Sequence, residues 1–148
     1  MTECFSIYSI DEEELPTDLS GSDEEIYNAL VEAIEKQGNL LSTVEMTEDD
    51  FIDALDSIDE HIGGTRLLQN CAFNNSPFDI LGRNGDCPYF GYFNPAQTQE
   101  VFALLEGLTA DVRDTIDSVY THAEVFEAFF ASSEEAVEIN GALAIIHS

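Results

Sequence analysis

Residues 84–108, NGDCPYFGYFNPAQTQEVFALLEGL, place a turn, an aromatic ribbon and a capped helix in direct succession. Asn84-Gly85 is a dipeptide that tolerates the backbone of a tight turn, and Pro88 to Phe93 offers aromatics at strand spacing, which predicts a short strand leaving that turn. Asn94 then predicts a helix start. Gln97 completes a capping box with it, and Pro95 stands where a missing N–H costs nothing. Val101, Leu104, Leu105 and Leu108 give that helix one apolar stripe, so strand and helix are expected to share a core.

Working outward, both ends of the chain read as strands. Cys4–Ile10, CFSIYSI, is apolar or β-forming at nearly every position, and 142–146, ALAII, has no polar position; both are expected to be buried on two faces. Asp11 to Pro16 ends the first strand. Ser22 predicts a helix boxed with Glu25, apolar through Ile26, Leu30, Val31 and Ile34 and stopped at Gly38. Periodicity leaves Asn39 to Val44 open between strand and loop. Thr47 predicts a helix boxed with Asp50, with Phe51, Ile52, Leu55, Ile58 and Ile62 inward and Gly63-Gly64 at its end. Three further starts follow: Thr109, with Val112, Ile116, Val119 and Tyr120; Thr121, boxed with Glu124 and apolar through Val125, Phe126, Phe129 and Phe130; and Ser132, boxed with Glu135, ending at Gly141. The expectation is one α+β domain over 1–148, with a small mixed sheet, central N- and C-terminal strands and about five packed helices.

Charge is the chain's most unusual property. Thirty-one acids against four Lys and Arg leave a formal charge of −27, while 44% apolar content, with 10 Phe, supplies a core and argues against wholesale disorder. Such a surface repels nucleic acid and anionic membranes and favours a basic partner. Solvation in a salty cytoplasm is the competing explanation, although Glu exceeds Asp, 18 to 13. The charge is uneven. Residues 1–60 hold 19 acids and one Lys, hence −18; 61–98 hold two acids and two Arg, hence zero; 99–148 hold ten acids and one Arg, hence −9. Within the first block Asp49, Asp53, Asp56 and Glu60 recur every three or four residues, a single helix face with neighbours about 5–6 Å apart. That row is either a solvated face or a docking surface whose carboxylates are spaced like backbone phosphates. The neutral block carries six of the 15 aromatics, and is either a tucked connection or a pocket using Phe73, Tyr89 and Tyr92 with Arg66, Asp79 or Arg83 as polar handles.

Chemistry-bearing spacings do not emerge. His61, His122 and His147 stand apart and read as element-end residues, and Cys4, Cys71 and Cys87 form neither a disulfide framework nor a CxxC pair. Cys87 in its turn could be an exposed thiol, yet no base is recognisable beside it. No Walker loop, GxGxxG, GxSxG or EF-hand loop is present, so no cofactor or metal is expected. Acids at 11–14 precede any hydrophobic region that could make a signal peptide, and no apolar run approaches about 20 residues, so a cytoplasmic protein is expected.

Three pieces in order, CFSIYSIDEEEL, YFNPAQTQEVFALLEGL and GALAIIHS, resemble the YfbM-like family of bacterial domains over about a quarter of the chain. The resemblance implies a cytosolic α+β domain and no catalytic residue; IDEHIGGTRLLQNCAF stands where that family would carry a Trp. The functional expectation is a non-catalytic binding module docking a basic protein through Asp49, Asp53, Asp56 and Glu60, as an immunity protein or nucleic-acid mimic would. The alternative is a small-molecule binder or enzyme using the 61–98 pocket.

Overall fold

The computed structural model describes residues 3–15, 21–63, 67–68 and 90–147. In chain order these form β1 (Glu3–Ile10), a 3-10 turn (Glu12–Glu14), α1 (Asp23–Gln37), β2 (Asn39–Met46) and α2 (Glu48–His61). They continue with β3 (Phe90–Phe93), α3 (Pro95–Glu106), α4 (Ala110–Asp117), α5 (Tyr120–Glu138) and β4 (Ala142–His147). The α+β class holds, and the first and last strands are central in the order β2-β1-β4-β3. Where a mixed sheet was expected, all three pairings of the described strands are antiparallel. The reason is that each helical connection returns the chain to the end of the sheet it left: β2 begins opposite Ser9, near the end of β1, and β3 ends opposite Leu143, near the start of β4.

The sheet separates two apolar clusters of unequal size. Phe5, Ile7, Val44, Leu143 and Ile145 face the larger one, filled by Phe51, Leu55 and Ile58 of α2, Val101 and Leu105 of α3, Ile116 of α4, and Phe126 and Phe129 of α5. Ile10, Tyr92, Ala142, Ala144 and Ile146 face the smaller one, covered by Ile26, Tyr27, Leu30 and Ile34 of α1. β4 is therefore buried on both faces, as its unbroken apolar run predicted. β1 is not. Phe5 and Ile7 are buried, but Cys4, Ser6 and Tyr8 on the opposite face are only half-buried, because α1 covers that side incompletely. Each fully buried Phe contributes about 1.5–3 kcal/mol of transfer free energy, and the five among the described residues set this term against the surface repulsion.

Local capping follows the sequence closely. Ser22, Thr47, Asn94 and Thr109 all accept a backbone N–H three residues on, and Asn94 and Gln97 form both halves of the expected box. β2 resolves the open reading as a full strand, with Leu41 as an extra residue bulged between the Ile7–Ser42 and Tyr8–Leu40 pairs. The two helices expected at Thr121 and Ser132 are one, α5. Ser132 and Ser133 do not cap within it; their hydroxyls bond Ser42 Oγ at 3.1 Å and the Phe130 carbonyl at 3.1 Å, which satisfies them inside a continuous helix.

Candidate functional site

α2 carries the row singled out by spacing. Its inward face of Phe51, Ala54, Leu55 and Ile58 is fully buried, which fixes the helix against β1 and α5, while Asp49, Asp53, Asp56 and Glu60 are all exposed on the other side. Thr47 accepts from the Asp50 N–H at 3.2 Å, and Gly63, at φ +120, ends the helix in a backbone that residues with a Cβ rarely adopt. The row is thus displayed from a rigid element.

Its members are not equivalent. Asp53 Oδ2 accepts from His122 Nε2 at 2.8 Å, tying the row to the first turn of α5; the His122 side chain is 12% exposed and Asp53 71%. Asp56 also has an interaction of its own, so Asp49 and Glu60 are the simpler members of the row. Of the seven acids of α2, one is turned away from water altogether. Asp59 is 1% exposed on the apolar face, where its Oδ1 accepts from the Leu68 N–H at 2.9 Å. Its position directly after Ile58 and four after Leu55 was a readable signal that this carboxylate points inward.

The helix start is held by a residue that motif reading passed over. Glu3 Oε2 accepts from the Glu48 N–H at 2.9 Å, an anion at the positive end of α2, and Glu3 Oε1 accepts from His147 Nε2 at 2.9 Å. The His147 ring stacks on Phe5 at 4.6 Å and Phe5 on Phe51 at 3.9 Å, so one aromatic column joins both terminal strands to α2. His122 and His147 are therefore structural partners of carboxylates. Among the described residues no group of His, Cys, Asp and Glu gathers in a way that could hold a metal.

Of the neutral aromatic block, residues 61–63, 67–68 and 90–98 are described, and Leu68 meets α2 through Asp59. Arg66, Phe73, Asp79, Arg83 and Tyr89 lie outside them. Tyr92, the one expected pocket residue that is described, is 3% exposed in the smaller core, and Phe93 is fully buried in the larger. The Tyr92 hydroxyl donates to the Glu12 carboxylate; burial first, and that carboxylate second, push its pKa far above the ordinary tyrosine value. A groove of about 410 Å³ does open elsewhere, between the 3-10 turn and α1, lined by Glu14, Leu15, Ala29, Glu32, Lys36 and others. It is far from enclosed and brings no nucleophile and base together.

Exposed acid is not confined to α2. Glu25, Glu32 and Glu35 on α1, Asp111, Asp114 and Asp117 on α4 and Glu127, Glu134 and Glu135 on α5 are exposed as well. The described cations are held back: Lys36 is on α1, and the Arg113 guanidinium lies 5.4 Å from both the Phe126 and the Phe130 ring centres. Comparison with known protein families, characterised proteins and solved structures returns no match. Among the described residues no helix is long and apolar enough to cross a membrane.

Proposed function

We propose that this protein is a non-catalytic acidic binding module that docks a basic protein surface through α2, in the manner of an inhibitor, an immunity protein or a nucleic-acid mimic. One observation carries the reading: Asp49, Asp53, Asp56 and Glu60 are exposed in a single row on a helix whose opposite face is wholly buried. A flexible acidic segment would lose order on binding, whereas a row already fixed presents its potential without that cost. Its field would accelerate encounter more than it deepens affinity. A cytoplasmic location belongs to the same reading, and the likeness to YfbM-like domains brings no residue role into it.

The experiment must separate the row from the total charge. The protein is immobilised and exposed to host extract at low salt, and the retained basic protein is identified and its association kinetics measured against salt. Asp49→Asn with Glu60→Gln is compared with Glu25→Gln with Glu32→Gln on α1, which removes the same charge from the other layer. The expectation is slower association for the α2 pair, near wild-type rates for the α1 pair, and an affinity that falls steeply with salt. Equal losses for the two pairs would reduce the acidity to general solvation, and indifference to salt would remove the electrostatic reading.

A further inference from the structure

Among the described residues four large apolar side chains stand out as exposed, Leu40, Val119, Tyr120 and Ile139, and two of them are consecutive. Val119 is 42% exposed and Tyr120 80%, at the step between α4 and α5. The step is also where the capping pattern breaks: the other four α-helices given ranges above start on Ser22, Thr47, Asn94 and Thr109, but α5 starts on Val119, with no side-chain cap. A hydroxyl or amide there would both hold the helix end and favour water. An apolar residue does neither, so the position spends local stability to keep a hydrophobic surface in solvent.

Its surroundings define what could cover it. His122, two residues after Tyr120, is bonded at 2.8 Å to Asp53 of the α2 row, which fixes the step and the row relative to each other. Asp114 and Asp117 of α4, both exposed, lead into it. A second copy of this chain would bring −27 against −27, so self-association is opposed by charge. We infer that Val119 and Tyr120 form the apolar anchor of the same docking face, and that its occupant is a basic protein offering an apolar slot rimmed by Lys or Arg. The inference rests on the acidic-module reading. Tyrosine suits the role: it desolvates a large rigid area at the cost of two side-chain torsions, and its ring face attracts a rim cation.

The chain has no Trp, so Tyr120→Trp installs a unique indole at the step, and Ile139→Trp, at a position 57% exposed at the far end of α5, serves as control. The probes are two synthetic peptides of equal charge, an oligolysine and one alternating Lys with Phe. The Lys/Phe peptide is expected to shift indole emission to the blue and to shield it from acrylamide at position 120 but not at 139. In the otherwise native chain Tyr120→Ala should weaken that peptide about tenfold and leave oligolysine unchanged. Equal shielding at both positions, or salt-dependent binding without a Tyr120 effect, overturns the anchor and leaves the acidic-module reading standing. Salt-indifferent binding with the Tyr120 effect intact overturns the basic occupant and, with it, the acidic-module reading.

Discussion

Replacing Tyr92 by Phe removes one hydroxyl from the smaller core and should change both the size of the stability and its dependence on pH. Tyr92 is 3% exposed, and its hydroxyl donates to the Glu12 carboxylate, which is itself only half-buried. A hydrogen bond to a charged acceptor contributes about 1.5–3 kcal/mol, and an acceptor that can regain water places this one at about 1.5 kcal/mol. Below pH 9 the variant should therefore unfold more easily by about that amount. Burial and the neighbouring carboxylate raise the Tyr92 pKa far above its ordinary value of 10.0, so in strong alkali the unfolded chain releases the phenolic proton while the folded one keeps it. Unfolding then releases a proton, and the wild type loses about 1.4 kcal/mol of stability per pH unit above 10 that the variant does not lose. The 1.5 kcal/mol advantage is spent in about one unit, so the two stability curves should cross near pH 11. Tyr8, whose pKa is also raised, is common to both chains and cancels in the difference. Urea unfolding of both proteins at several values between pH 8 and 11 measures it; curves that stay parallel throughout would show that this hydroxyl is not held neutral by the fold.

Other consequences are simpler. The His122–Asp53 pair should contribute less than about 1 kcal/mol, because Asp53 is 71% exposed and water screens it; a larger coupling in a double-mutant cycle of His122→Ala and Asp53→Ala would mean that the α2–α5 contact depends on the pair more than exposure implies. Asn140 has φ 53, and its N–H and that of Gly141 close α5 on Val137 and Ala136 at 3.1 and 2.8 Å. Asn140→Ala should cost about 1 kcal/mol while Asn140→Gly costs nothing, read from thermal midpoints. Raising salt from millimolar to physiological strength should raise the midpoint through screening of the −27 charge; a chain that folds only in molar salt would favour adaptation to a salty cytoplasm instead.

Much of the architecture was legible because local signals agreed with tertiary demand. Asn94, Pro95 and Gln97 specify a helix start by themselves, and the unbroken run at 142–146 could be stable only between two covered faces, which is where β4 lies. Ser132 misled because a serine that caps a helix and a serine that bonds a neighbouring strand look alike in sequence. β2 was ambiguous for the opposite reason: its pattern is weak, and pairing with β1 decides it. The acidic row was readable from spacing. The pairs that qualify it were not, since His122 and Asp53 are 69 residues apart and His147 and Glu3 are 144 apart. Val119 and Tyr120 were assigned to an apolar stripe of α4, yet α4 ends at Asp117, and they stand exposed at the start of α5 instead.

The three histidines show how a chain so poor in cations holds its most crowded row of acids. His61 lies in the last turn of α2, at the negative end of the helix dipole; His122 donates to Asp53 in the middle; and His147 donates to Glu3, whose other oxygen accepts from the Glu48 N–H at the start. Lys36, by contrast, is on the helix that covers the other face of the sheet, and Arg113 is placed over rings. A lysine set among the row would cancel part of the field that a basic partner is to meet. A histidine bonded from beneath or from the ends supports the helix and leaves Asp49 and Glu60 facing water. The placement reconciles two demands that otherwise conflict, a helix stable enough to fix the row and a row left negative enough to attract.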